Sequence, residues 1–299
     1  MQKQVAIIVV TYNRLVLLKE VIGALRLQSF DNYKIIVVNN GSTDGTLEWL
    51  SRQSDIITIT QDNLGGAGGF FSGIKYAAEH SYEYCWIMDD DVICEPAALD
   101  ELVKAYSQKS NIGFVCSKVV GIDGCPMNTP IVDERLTANG YADYLDLIDY
   151  GMIKVKTATF VSVFFSISVV KNLGLPYKEY FIWGDDTEYT QRISSYYDCY
   201  LATKSSVVHK RAIQGGLSFE KELDINRLNN YFYMFRNSSF NNILCAKEKN
   251  SRLGIFFKNF KYALKLFLKF DFFRASIVLK ASFAFLNFKP VLCFPKCKG

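Results

Sequence analysis

Histidine is scarce in this chain, paired cysteine is absent, the net charge is small, and no long uncharged apolar run occurs. Each shortage narrows what the molecule is. The only two histidines in 299 residues are His80 and His209. A lone histidine is by default a hydrogen-bonded structural residue, and His80, at a helix end, keeps that reading. The eight cysteines, at 85, 94, 116, 125, 199, 245, 293 and 297, include no Cys-x-x-Cys pair. They sit in apolar or mixed surroundings, as free thiols of a reducing compartment do, so a cytoplasm-facing protein is expected. A net charge of +4 gives no global argument for nucleic acid. No stretch of eighteen uncharged apolar residues occurs, which excludes a membrane-spanning helix. At the N-terminus, Met1 to Gln4 lead into only six apolar residues before Thr11, too few for a signal peptide and suited to a strand. The first turn after that strand reads Thr11-Tyr12-Asn13-Arg14 rather than Gly-x-Gly-x-x-Gly, and the later glycine run lacks the Lys-Ser/Thr ending of a P-loop. A dehydrogenase is therefore unsupported, and a nucleotidyltransferase would want the basic glycine-rich first loop that is missing here.

With 49% hydrophobic and 15% aromatic residues, the chain is long enough for one large core or two smaller ones. Val5 to Val10, Lys34 to Val38 and Ile56 to Thr60 are β-branched runs of the kind buried on both faces of a parallel sheet. Helical spacing follows the first at Leu15, Leu18, Val21, Ile22 and Leu25, and Thr46 to Leu50 begins another helix. The run Gln61 to Gly69, rich in glycine, reads as turn chemistry or as a backbone able to approach a phosphate, with a helix over Phe70 to Glu79. This alternation predicts a doubly wound, mostly parallel α/β sheet whose ligands bind beyond the carboxyl ends of its strands.

The fourth strand, from Tyr84, ends in Asp89-Asp90-Asp91. Three adjacent carboxylates repel one another, and delivering them to one point makes sense around a divalent cation. Further on, a helix over Ala97 to Tyr106 and a strand over Ile112 to Val120 precede an irregular region, Gly121 to Lys154, suited to an acceptor-binding surface. Thr157 to Val170 is apolar, and Asn172 to Pro176 closes it as a helix stop would. In Trp183-Gly184-Asp185-Asp186-Thr187-Glu188-Tyr189, acids at a helix start lie beside aromatic rings. Such acids stabilise the helix dipole, and desolvation there also raises a carboxyl pKa and makes a usable base. His209 follows the strand-like Ser205 to Val208, at a place where an Asp-bound cation would find a further ligand.

Taken together, Val9 to Arg14, Val37 to Thr46, Asn63 to Gly69, Asp89 to Asp91 and Trp183 to Tyr189 resemble family 2 glycosyltransferases of GT-A fold over about 210 residues. The glycine run, the Trp-Gly-Asp-Asp-Thr-Glu-Tyr cluster and Tyr231 to Asn237 are most similar to galactofuranosyltransferases, with bacterial rhamnosyltransferases close behind. The resemblance implies a metal motif of Asp89 and Asp91 with His209, holding Mn²⁺ or Mg²⁺. It places Thr11, Arg14, Asn39 and Asn63 in the nucleotide pocket and Asp90 near the ribose or sugar. Asn39 departs from the acid that many relatives carry, although its carbonyl oxygen still accepts a hydrogen bond. Asp186 would take the proton of an acceptor hydroxyl in an inverting transfer, with Asp185 and Glu188 positioning the acceptor or the base. The expected donor is UDP-galactofuranose, with dTDP-rhamnose as alternative, and the acceptor a glycan or a polyprenyl-diphosphate-linked glycan of a surface polysaccharide. A catalytically silent sugar-nucleotide-binding subunit of an assembly complex is the reading from another class.

Past Asn250 the composition changes. At about 100° per residue, Lys258, Lys261, Lys265 and Lys269 fall within roughly 80° of one another, opposite a phenylalanine-rich side. That pattern is a basic amphipathic helix, suited either to packing on the core or to lying on the inner leaflet. The expected division is a GT-A catalytic domain over 1–240 and a helical extension over 241–299. No nucleic-acid partner is expected, and self-association is left open.

Overall fold

The computed structural model describes residues 4–211, 218–245 and 251–296. The β-branched runs form strands β1 (Val5–Thr11), β2 (Tyr33–Asn39) and β3 (Ile56–Thr60), with helices α1 (Leu15–Leu25), α2 (Thr46–Leu50) and α3 (Gly65–Glu79) between and after them. Next come β4 (Tyr84–Asp89), β5 (Val92–Cys94), α4 (Ala98–Tyr106), β6 (Ile112–Val120), β7 (Ile131–Val132) and β8 (Met152–Thr157). The chain continues through β9 (Val163–Ser166), α5 (Ile167–Leu173), α6 (Asp185–Ser194) and β10 (Asp198–His209). Three helices end it: α7 (Ile225–Cys245), α8 (Arg252–Leu268) and α9 (Phe272–Asn287).

The sheet order is β3-β2-β1-β4-β9-β6-β10-β8-β7, with β5 paired to β10. The pairs β1–β2, β1–β4, β2–β3 and β6–β10 are parallel, whereas β9 runs antiparallel between β4 and β6. This is the mostly parallel α/β sheet the alternation predicts. Side chains alternate between two buried layers: Ile7, Val9, Ile35, Val37 and Trp86 pack on one face, and Ala6, Ile8, Ile36, Val38 and Ile87 on the other. A period of two with both faces covered explains why these strands read as unbroken apolar runs.

Two sequence readings change. The apolar stretch from Thr157 is not one helix, because Phe164 and Phe165 point into opposite core layers and so require a strand, β9, before α5 begins. Nor is the glycine run a flexible turn, since Gly65 to Gly69 open α3. A Cβ on Gly69 would lie 2.3 Å from Val10 Cγ1, and one on Gly73 would lie 2.4 Å from Ile8 Cγ2. Glycine here lets α3 settle directly onto β1. Sequence periodicity cannot show such close packing.

The three final helices pack on one another, on α3 and on the turn before α6. Phe219, Leu228 and Tyr231 meet Ala263, Leu266, Ala275 and Val278, with Trp183 packed against the group. Tyr180, Phe240, Ile255 and Phe285 form a second group with Ala67 of α3. The chain after α9 returns to the sheet domain, where Leu175 N donates to Cys293 O at 2.8 Å and Lys296 N to Glu79 Oε1 at 3.0 Å. No helix among the described residues is long and apolar enough to cross a membrane.

Candidate active site

Because β1, β2 and β4 are parallel and in register, Thr11 pairs with Asn39 and Val10 with Asp89, so their polar ends share one rim of the sheet. The strand order turns back at β1, where the chain goes to β2 on one side and β4 on the other. Crevices at such switch points are where open α/β sheets bind ligands. Antiparallel pairing of β5 with β10 sets His209 opposite Val92, and Lys210 N donates to Asp91 O at 2.7 Å. A residue 118 positions downstream of Asp91 is thereby delivered beside it.

Asp89, Asp91 and His209 each offer a ligand atom, and these atoms all lie within 4.8 Å of one another. His209 Nε2 is 3.1 Å from Asp91 Oδ1, while His209 Nδ1 is 2.9 Å from Asn128 Oδ1. An amide oxygen only accepts, so the Nδ1 proton is donated to Asn128. In the neutral ring, Nε2 then turns a lone pair toward Asp91 Oδ1, which is itself buried and accepts no hydrogen bond. Two buried acceptors facing each other fit a cation between them, and a ring oriented through its far nitrogen is how metal-binding histidines are held.

The other carboxylate of the trio is tied to β1. Thr11 Oγ1 donates to Asp90 Oδ2 at 2.7 Å, and Arg14 Nη1 donates to Asp90 Oδ1 at 3.2 Å and Asp91 Oδ2 at 2.9 Å. Burial pushes Asp90 up to about 6 even though Arg14 and Thr11 pull the other way. Burial also raises Asp89 well above the ordinary carboxylate range, with the charges of Asp91 and Asp90 adding to it. Asp91 goes the opposite way: burial would raise it, but the protonated form of the His209 ring, donating to it through Nε2, and the Arg14 guanidinium hold it below its usual value.

Asn39 ends β2, and Asn63 lies in the loop that follows β3. Asn39 Oδ1 accepts from Ser42 N at 3.1 Å, and Asn63 Oδ1 accepts from Gly65 N at 3.0 Å. Between them sits Asn40, which the sequence reading passed over. It is 2% exposed, donates to Gly65 O at 2.9 Å, and accepts from Gln61 Nε2 at 2.8 Å and Leu64 N at 3.2 Å. Asn40 therefore fixes the relative position of the segments carrying Asn39 and Asn63. Its signal was only an extra Asn in a turn.

Asp185 and Asp186 stand at the first turn of α6. Asp186 Oδ1 accepts from Thr187 N at 2.6 Å. Burial raises both acids, Asp185 to about 8, with the charge of Asp186 as its second cause. Asp185 also feels Asp89, since its charge is among the causes that raise that residue. Asp185 and Asp89 thus share one electrostatic environment. Glu188 is placed differently: its carboxylate makes two 2.8 Å bonds to the Arg192 guanidinium, which also caps Leu173 O and Leu175 O.

The backbone before these acids is strained, with positive φ at Phe181 (65°), Trp183 (63°) and Gly184 (90°). Two bulky aromatics in that region persist only when their surroundings over-determine them. Helix α7 supplies the restraint. Asn237, fully buried, donates through Nδ2 to Tyr180 O, Ile182 O and Trp183 O at 2.9, 3.1 and 2.7 Å. Asn241 Nδ2 donates to Gly184 O at 2.9 Å, and Arg236 Nη2 donates to Glu179 O at 2.7 Å. From the other side Ala67 N donates to Phe181 O at 3.1 Å, and Gly65 leaves room for that carbonyl, which a Cβ would approach to 2.0 Å.

A family model described as Glycosyl transferase family 2 matches residues 6–169. Galactofuranosyltransferase GlfT1 of Mycobacterium tuberculosis (strain ATCC 25618 / H37Rv) is 25% identical over 256 residues, covering 83% of this chain and 75% of that protein. Poly-beta-1,6-N-acetyl-D-glucosamine synthase of Staphylococcus aureus (strain COL) is 27% identical over 108 residues, 35% of this chain and 26% of its own. Among solved structures, S. aureus TarS 1-349 superimposes with a TM-score of 0.56 at 13% identity, covering 95% of this chain and 91% of that one. That likeness is one of fold.

Proposed function

Because the chain belongs to glycosyl transferase family 2, whose model matches more than half of its length, we propose an inverting transfer from a nucleotide sugar, UDP-galactofuranose, to a glycan hydroxyl. The enzyme is a glycosyltransferase of GT-A fold. The likeness to GlfT1 across most of both chains supports galactofuranose as the sugar. The rhamnosyl alternative keeps only the motif likeness. The acceptor in this reading is a surface-polysaccharide glycan, free or carried on a polyprenyl diphosphate and met at the cytoplasmic face of a membrane.

The carrying observation is the convergence of Asp89, Asp91 and His209, whose ligand atoms all lie within 4.8 Å of one another, with His209 Nε2 3.1 Å from Asp91 Oδ1. These residues fit Mn²⁺ or Mg²⁺, which when bound would neutralise the departing diphosphate. The protein's own groups do the rest. Thr11 and Arg14 orient Asp90 toward the donor sugar or ribose and fix the spacing of the acidic turn. Asn39 and Asn63 line the nucleotide pocket. Asp186 accepts the proton of the attacking hydroxyl on the face opposite the leaving group, the geometry that inverting glycoside chemistry requires. Asp185, raised to about 8 by burial and by the charge of Asp186, resists adding a second negative charge beside the base. Glu188 serves by holding Arg192, and through it the α5–α6 connection. The catalytic unit in this proposal is 1–240, with 241–299 as a helical extension.

Thermal melting against a panel of nucleotide sugars tests this. UDP-galactofuranose with Mn²⁺ should raise Tm by several degrees, about what binding at a hundred times Kd supplies. The rise should vanish with chelator and in Asp91→Asn. A metal-independent rise, or none with any UDP-sugar, contradicts the proposal.

A further inference from the structure

Helix α8 carries three distinct sectors. Ile255, Ala263 and Leu266 are buried against the rest of the molecule. At about 100° per residue, Leu253, Phe257, Phe260, Leu264, Phe267 and Leu268 occupy a separate, solvent-facing sector roughly 100° wide. Lys258, Lys261, Lys265 and Lys269 fill the sector beside it, all exposed. The phenylalanine stripe is thus no part of the core, since half or more of Phe257, Phe267 and Leu268 is open to solvent (57, 55 and 70%).

The apolar surface continues onto α9. Phe256 contacts Phe260 and Phe283 at centroid distances of 6.2 and 5.2 Å, and Phe272 contacts Phe267 and Phe270 at 5.0 and 6.1 Å. Phe270, at the turn between the helices, is 80% exposed. A contiguous aromatic face across two helices is more than the scattered apolar residues any surface carries.

Charge selects the occupant. Residues 251–296 hold nine Lys and Arg against one acid, Asp271, and that acid is bound by Arg274. Among the described residues, Lys258, Lys261, Lys265, Lys269 and Lys280 have no ion-pair partner. A second copy of this face would bring lysines against lysines across a two-fold axis. Lipid phosphates would neutralise them while the phenyl rings enter the acyl boundary and the lysine stems lie along it.

We propose that the α8–α9 hairpin is a membrane-docking surface that seats the enzyme in the plane of a bilayer rich in anionic headgroups. Trp183, two residues before the acid pair, packs on the same helical cluster, so docking holds the α6 acids at a constant distance from the lipid surface. The link to a lipid-carried acceptor rests on the functional reading above. Docking itself is measured without any sugar transfer, and either can fail alone.

The test is sedimentation of the full chain with phosphatidylcholine vesicles with and without phosphatidylglycerol. Binding should require phosphatidylglycerol, weaken in high salt, and fall about tenfold or more in Phe260→Ser/Phe267→Ser and in Lys261→Glu/Lys265→Glu. Because a folding defect would mimic loss, Phe267→Trp provides a second readout: its fluorescence should be quenched by lipids brominated in the acyl chain. Absence of binding, indifference to both double variants, or an unquenched Phe267→Trp overturns the proposal. So does a concentration-dependent dimer that Phe260→Ser/Phe267→Ser dissociates with no vesicle binding, which assigns the face to a second copy.

Discussion

Asp185 and Asp186 are adjacent acids whose raised pKa values have burial as their first cause. For Asp185 the consequence for stability has a definite sign. Its folded pKa of about 8 exceeds the unfolded value, so the folded chain holds the proton more tightly. Stability is then fullest below the ordinary carboxylate range and is lost as pH rises toward about 8. Asp185→Asn removes an acid that must ionise in the interior. Its Tm should exceed wild type by about 2 to 4 °C or more at pH ~9 and by little at pH ~5, measured by thermal unfolding. An equal difference at both pH values would show that ionisation is not the cause. Residues such as Asp185 were legible in the sequence because acids beside aromatics are conspicuous. Asn40 and Asn128 were not, because a polar residue in an irregular segment shows its role only through partners, and Asn128 meets His209 81 positions away.

At the scale of elements, the acid-bearing turn is held from two sides by helices that bear no acid of the site. The strands and helices of the first 120 residues, β5 excepted, were readable from β-branched runs and helical spacing. The fit of α3 to β1 was not, because a glycine reads as a turn until a neighbour's atoms fill the place of its Cβ. Strand β9 was hidden for a similar reason: four residues are too few for periodicity to distinguish strand from helix. The Tyr231 to Asn237 segment stood out by family likeness, and the structure adds what its Asn237 does. Asn237→Ala takes the side-chain donor from Ile182 O and Trp183 O of a strained turn, and one of several donors from Tyr180 O. The variant should lose about 2–3 kcal/mol in denaturant unfolding. It should also lower kcat more than it raises KM, because the turn positions the α6 acids and leaves the donor site intact. A variant that loses stability but keeps kcat would make Asn237 a packing residue only.

Across the whole molecule, distant segments converge on one rim because the strands that carry them are parallel and β5 turns back beside β10. The final helices are structurally continuous with that arrangement: α7 clamps the acid turn, and Arg252 of α8 caps Phe285 O at the end of α9 with a 2.8 Å bond. Helix spacing in the sequence revealed the amphipathic tail but not its two apolar faces, since periodicity cannot say which side a neighbour will cover. The central claim is that Asp186 acts as the base opposite a cation-and-diphosphate site formed by Asp89, Asp91 and His209. The most direct measurement is donor binding and sugar transfer in Asp186→Asn beside wild type, with Mn²⁺ present. The account predicts that the variant binds the nucleotide sugar within about twofold of wild type and loses transfer by at least about a hundredfold. Transfer retained near the wild-type rate would contradict it.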